Sequence, residues 1–352
     1  MDDKPKIEPR KPRVPVDPEA ILRDFEGLVR SRDQHAAAPL LFEMVESVMK
    51  CLRDDTGLGD LKVLNQVLKE MRYAFKVFAP YRRIRKVSIF GSARTPPDAP
   101  EYAQARAFAN RITRMGWMVI TGAGGGVMEA AQGGAGRTRS FGVNIRLPFE
   151  QKANTFIDQD SKLINFKYFF TRKLMFVKET DAIALFPGGF GTHDEGFESL
   201  TLVQTGKSNL LPIVFIDRPG GTYWREWKKY VEDHLSARGY IDPSDLSLFT
   251  VTDDVESAAR TIESFYRNYH SSRFVSARLV IRLQNPVSDA VLESLNDGFG
   301  NIVKEGRIER CEALPGEENE PDTLHLHRIC LWFDRRNVGR LRKMVDVLNE
   351  PA

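Results

Sequence analysis

Cysteine is scarce in this chain of 352 residues: Cys51, Cys311 and Cys330 are the whole supply, far apart, odd in number and without a C-x-x-C spacing. That argues against a disulfide framework and against a structural zinc site. An excess of one charge is also missing, since 51 basic residues face 48 acidic ones for a net +3, so there is no general electrostatic drive towards nucleic acid. The local run Tyr81-Arg82-Arg83-Ile84-Arg85-Lys86 reads as a solvated helix end or as a contact to an anionic ligand or partner subunit. No apolar run reaches the length of a membrane span, and the proline-rich start has no apolar core of a secretory signal. The expectation is a cytoplasmic protein with no membrane partner and a flexible tail over 1–17. No solenoid-type repeat is present.

What is there is the composition of a globular protein, 42% hydrophobic and 28% charged, with enough length for an α/β domain plus one or two smaller units. Residues 18–80 alternate apolar and charged positions at helical spacing (Ala20-Ile21-Leu22, Phe25, Leu28-Val29, then Leu40-Leu41, Met44-Val45, Val48-Met49), which predicts a helical layer packed on the main domain. Its expected role is support or oligomer contact. From 81 to 270 strands alternate with helices: strands over 87–90, 117–121, 141–147, 181–186, 211–217 and 247–251, and helices over 102–115, 166–178, 192–204, 223–235 and 255–269. This is the pattern of a Rossmann-like open parallel sheet with helices on both faces. Residues 271–352 read as a small α+β unit of βαββα order with an acidic loop over 315–322, regulatory or dimerising.

Chemistry concentrates in Phe186-Pro187-Gly188-Gly189-Phe190-Gly191-Thr192-His193-Asp194-Glu195, where an apolar strand hands over to a helix. Free N–H groups and the positive end of the dipole make such a helix start a phosphate seat, and glycines let the ligand reach the backbone. Thr192 is the expected N-cap, with Glu195 three residues on, beside a bound phosphate ester. The same spacing also fits a capping box, in which the acid only satisfies a backbone donor, and the sequence leaves both readings open. Glu198, one turn later, either shares a face with Glu195 and raises its pKa or is a surface acid.

A second cluster, Thr121-Gly122-Ala123-Gly124-Gly125-Gly126-Val127-Met128-Glu129, also leaves a strand and opens a helix. Val127 stands where a dinucleotide fingerprint needs glycine or alanine, which disfavours NAD. Gly206-Lys207-Ser208 resembles the end of a P-loop, but Thr201 replaces its first glycine, so the triplet reads as a helix stop. Two phosphate-friendly loops at strand ends of one open sheet converge on a crevice sized for a mononucleotide. Ser92 and Arg94 follow the first strand at that edge, as ligand contacts or as a turn cap and a solvated cation. Arg172-Lys173, set in the aromatic stretch Tyr168-Phe169-Phe170 to Met175-Phe176, is costly before a buried strand unless one of the two meets an anion.

These motifs, in this order and over 86–217, resemble the LOG ("lonely guy") family of phosphoribohydrolases, whose members are sometimes labelled lysine decarboxylases in error. The resemblance implies hydrolysis of the N-glycosidic bond of a nucleoside 5'-monophosphate, purine and AMP-like first, to free base and ribose 5-phosphate. It implies Arg172 and Glu195 as catalytic residues and Gly188, Gly189, Gly191 and Thr192 as the 5'-phosphate site. Ser92, Arg94, Gly124, Gly125, Gly126, Glu129 and Lys173 complete the expected substrate contacts, with no metal and no cofactor. A homodimer or larger homo-oligomer, sharing pocket residues across its interface, is implied too. His193 departs from the leucine common in the family. The alternative of another class is a nucleotide-sensing module without turnover. Lysine decarboxylation would need a pyridoxal phosphate Schiff base, for which Lys173 is the sole candidate noted.

Overall fold

The computed structural model describes residues 17–30, 37–147 and 152–350. Apart from Asp17, the expected tail lies outside them, as do the side chains of Leu22, Leu28 and Val29. The chain divides into two compact units, the first ending at Gln66 and the second starting at Val67. The first holds helices α1 (Pro18–Arg30) and α2 (Ala38–Arg53), which meet through the stacked rings of Phe25 and Phe42, 6.3 Å apart. Helix α3 (Leu58–Phe78) has residues in both units.

The second unit alternates strands and helices: β1 (Lys86–Phe90), α4 (Pro100–Arg114), β2 (Met118–Thr121), α5 (Val127–Ala135), β3 (Ser140–Ile145), β4 (Leu163–Phe166), α6 (Phe169–Lys178) and β5 (Ala182–Leu185). Then follow α7 (Phe190–Gln204), β6 (Ile213–Ile216), α8 (Tyr223–Tyr230), β7 (Phe249–Thr252) and α9 (Val255–Phe265). Strands β1, β2, β3, β5 and β6 are buried at every position, as strands covered on both faces must be; β5 and β6 are apolar throughout, while β1 and β3 are mainly apolar with buried Lys86, Ser88, Ser140 and Asn144 among them. All seven pair in parallel in the order β4-β3-β2-β1-β5-β6-β7.

The order reverses at β1 and β5. Successive strands run outwards from β1 to one edge and from β5 to the other, so the crevice of the sheet opens where the loops after β1 and β5 part.

A second, antiparallel sheet has the order β10-β11-β9-β8, from β8 (Tyr269–Val275), β9 (Arg278–Leu283), β10 (Glu309–Arg310) and β11 (His327–Leu331). Helices α10 (Asp289–Phe299) and α11 (Val338–Leu348) complete it. Its apolar residues Leu279, Ile281, Ile329 and Leu331 join the same core as Phe215, Trp224 and Phe249 of the parallel sheet. The opposite face carries a buried ionic group beside a small apolar cluster of Val275, Val280 and Cys330. Glu317 of the acidic loop is fully buried between Arg282 (2.6 Å) and Arg328 (3.3 Å).

Two strands were not expected. β4 is a four-residue edge strand with alternating burial and an Asn144–Asn165 side-chain bond, too short and too polar to show an apolar run. β8, the edge of the small sheet, is mostly half-buried and carries His270, Ser271, Ser272 and Arg273, so the unit is ββαββα and not βαββα.

Candidate active site

The turn after β5 differs from its expected form. Helix α7 begins at Phe190 with Gly189 as N-cap in an extended conformation, two residues before the expected start, so Thr192 is the third helical residue and Glu195 the sixth. A capping box between Thr192 and Glu195 is therefore not formed, and no side chain caps the helix. Glycine is needed at 188, where the turn packs against the helix start and the β1 loop, and not at 189, where a Cβ would meet nothing within 4 Å. A Cβ on Gly188 would lie 2.2 Å from Thr192 Oγ1 and 2.9 Å from the Ser92 amide nitrogen, so this loop fits against the β1 loop only with glycine there. The Thr192 and His193 amides bond back to the Gly189 carbonyl, while those of Gly189, Phe190 and Gly191 have no hydrogen-bond partner among the described residues. Unpaired donors at a helix start are an anion seat.

These residues line a cavity of about 730 Å3 together with Ser92, Arg94, Gly122, Met128, Arg172, Glu195 and Tyr223. That volume suits a ligand of mononucleotide size. Arg172 enters from α6. Its Nε donates to the Val143 carbonyl (2.9 Å) and its guanidinium lies so close to Gly122 that a Cβ there would meet Nη2 at 2.4 Å. Burial pulls its pKa below the usual range, with Glu195 opposing, yet a guanidinium stays charged. Among the described residues its Nη groups have no hydrogen-bond partner, which leaves them for a ligand.

Glu195, 8% exposed, forms part of the cavity wall. Burial raises its carboxyl to about 7, against the pull of Lys173 and Arg172 and with the help of Glu198 and Asp194. Lys173 does not line the cavity: its Nζ sits 2.6 Å from Glu198, 2.8 Å from Asp194 and 3.6 Å from Glu195. Burial alone would lower its pKa, but the bonds to Asp194 and Glu198 hold it raised.

Ser92 and Arg94 stand at the cavity, the Arg94 amide donating to Ser92 Oγ (3.1 Å). Gly124, Gly125, Gly126 and Glu129, expected at the ligand, are not among the lining residues; Gly122 and Met128 of the same loop are. The loop is drawn back because Asn154 Nδ2 donates to the Gly124 carbonyl (2.8 Å) and the Val127 amide to the Ser92 carbonyl (3.0 Å).

Tyr223 was not singled out in the sequence. Its hydroxyl donates to the Gly188 carbonyl, so it accepts from His193 Nε2, 2.7 Å away, which assigns the imidazole proton to Nε2. Burial lowers the His193 pKa and keeps the ring neutral. The only signal was a tyrosine at the start of the helix after β6, one strand over from the motif.

Fold and site together define an open α/β protein with unpaired helix-start amides, a buried carboxylate and a cavity-lining guanidinium at the switch point. The family model described as "Possible lysine decarboxylase" matches residues 125–262. A cytokinin riboside 5'-monophosphate phosphoribohydrolase of Mycobacterium tuberculosis is 30% identical over 175 residues, 48% of this chain and 88% of that one. One of Rhodococcoides fascians is 34% identical over 93 residues, 26% of this chain and 45% of that protein. A solved molybdenum cofactor binding protein from Rippkaea orientalis is 18% identical, with 52% of this chain and 97% of that one covered at a TM-score of 0.37. The chain belongs to the LOG family.

Proposed function

We propose that the chain hydrolyses the N-glycosidic bond of a nucleoside 5'-monophosphate, AMP-like first, to free base and ribose 5-phosphate. The observation that carries this reading is Glu195, a buried carboxyl raised to about 7 in the same cavity wall as the unpaired amides of the α7 start and Arg172. The 5'-phosphate sits on the amides of Gly189, Phe190 and Gly191, with Thr192, Ser92 and Arg94 around it, and its binding remote from the broken bond positions the sugar.

As the bond from C1' to the base nitrogen breaks, the ribosyl group gains positive charge. The Glu195 carboxylate stabilises it and takes a proton from the water whose oxygen bonds to C1'. That proton passes to the departing base, which Arg172 orients. Lys173 acts behind Glu195 by holding it partly ionised, and Gly125 and Gly126 act behind the β1 loop, packed against the Ala93 and Ser92 carbonyls. A second copy of the chain is part of this reading, because Phe169 and Phe190 line the cavity yet are 54% and 96% exposed.

The test is base release across the common nucleoside 5'-monophosphates and the corresponding unphosphorylated nucleosides. Turnover confined to monophosphates is expected. Tight binding of monophosphates with no base released would favour the sensing module instead.

A further inference from the structure

Two consecutive carbonyls of the turn after β5 are held by different neighbours. The Pro187 carbonyl accepts from the Ser92 amide of the β1 loop at 3.1 Å, and the Gly188 carbonyl accepts from the Tyr223 hydroxyl of α8. Tyr223 is itself fixed in place. The Trp224 amide donates to Asp217 Oδ2 just after β6 (3.1 Å), which anchors the start of α8, and fully buried Trp224 meets the Tyr223 ring edge to face at 4.7 Å. The phenol has one proton. Because His193 Nε2 donates to its oxygen from 2.7 Å, that proton goes to the Gly188 carbonyl.

What this bond fixes is the plane of the peptide between Gly188 and Gly189. That peptide is trans, so its C=O and N–H point opposite ways. With the carbonyl held on Tyr223, the Gly189 N–H faces away from the hydroxyl and joins the unpaired amides of Phe190 and Gly191. Turned over, the same plane would offer an anion a carbonyl oxygen in place of a donor. The turnover carries Gly189 from its φ of −85° into the positive range, which glycine accepts at little cost. The Tyr223 hydroxyl therefore removes a freedom that the glycine pair leaves open.

We propose that Tyr223, braced by His193, is a positioning residue: it keeps the Gly189 N–H turned to the ligand and so sets how tightly a phosphate group binds at the start of α7. This rests on the reading of that helix start as the phosphate seat, and not on bond cleavage. Without the hydroxyl the seat is competent only for the fraction of molecules whose peptide plane is correctly turned, and apparent affinity falls by that fraction. A ligand once bound meets the same amides as before. The signature is a raised KM with kcat kept.

The full-length wild type, Tyr223→Phe and His193→Leu, each with and without Gly189→Ala, are titrated calorimetrically with inorganic phosphate and with AMP, base release from AMP is followed, and thermal melts report folding. Tyr223→Phe keeps the ring against Trp224 and is expected to melt close to the wild type, to bind both ligands about tenfold more weakly, and to raise KM with kcat kept. His193→Leu shifts affinity the same way by about threefold. Gly189→Ala opposes a positive φ, so adding it to Tyr223→Phe recovers most of the lost affinity, which a hydroxyl that only stabilised the fold would not allow. The proposal is overturned if Tyr223→Phe binds phosphate and AMP as the wild type does, if kcat falls with KM unmoved, or if Gly189→Ala restores nothing. Should Tyr223→Phe fail to fold, His193→Leu with and without Gly189→Ala decides in the same way. The expected binding pattern with no base released overturns the proposed reaction alone, whereas a wild type that binds neither ligand overturns both.

Discussion

In the proposed reaction Glu195 carries the chemistry because its surroundings leave it undecided between two protonation states near neutral pH. If its ionised form is the working one, kcat/KM rises with pH through about 7 and is lost as pH falls below it. Lys173 is the nearest cation opposing that raised value. Lys173→Met removes the larger of the two opposing charges and leaves Arg172, so the rising limb of the pH profile is expected to move to higher pH, with activity recovering in alkaline buffer. Stability follows the same group with its own sign. The native carboxyl keeps its proton up to about 7 whereas the unfolded one releases it near 4.5, so stability falls as pH rises between these values and stays lowered above. Glu195→Gln abolishes this loss. Melts at pH 5 and pH 8 are expected to favour the variant more at pH 8, by on the order of 3 kcal/mol at most.

The helix start shows what a glycine motif specifies and what it conceals. A methyl on Gly188 meets Thr192 Oγ1 at 2.2 Å, while one on Gly189 meets nothing within 4 Å. Gly188→Ala is therefore expected to weaken monophosphate binding by about tenfold or more and to destabilise the fold by about 1–3 kcal/mol; Gly189→Ala should do much less. Calorimetric titration and thermal melts separate the two. The motif residues and the Arg172–Glu195 pair were legible from residue types and spacing, since a phosphate seat needs glycine and a helix start. The helix's true beginning at Phe190 was not, because a glycine N-cap without a side-chain bond leaves no sequence mark. Thr192 looked like the cap and is not. Tyr223 was illegible for a different reason: it reaches the motif from the next βα unit, and only the pairing of β5 with β6 brings that helix alongside. Likewise β4 and β8 went unread because these edge strands, one short and one rich in polar residues, show no apolar run.

Across the whole molecule, the parallel sheet was readable because strands covered on both faces show as apolar runs, and among the described residues no helix is long and apolar enough to cross a membrane. The small sheet was only partly readable, since one of its faces buries charged residues beside apolar ones. Glu317 is buried between two arginines, and although burial would raise its pKa, the Leu314 amide with Arg282 and Arg328 holds it below the usual carboxylate range. Its contribution is present at neutral pH and lost on acidification through that lowered value. Glu317→Gln leaves buried Arg328 without its anion and Arg282 with only Glu320 (2.7 Å), and urea unfolding at pH 7 is expected to show a loss of about 3–5 kcal/mol.

The central claim is that the acid in the cavity wall acts on the sugar of a phosphate-anchored nucleotide. The measurement that meets it most directly is ribose 5-phosphate released from AMP by the wild-type chain and by Glu195→Gln, alongside AMP binding to each. The account expects product in step with free adenine from the wild type, and about a thousandfold slower release from the variant with binding kept. A variant that turns over AMP as fast as the wild type would contradict it.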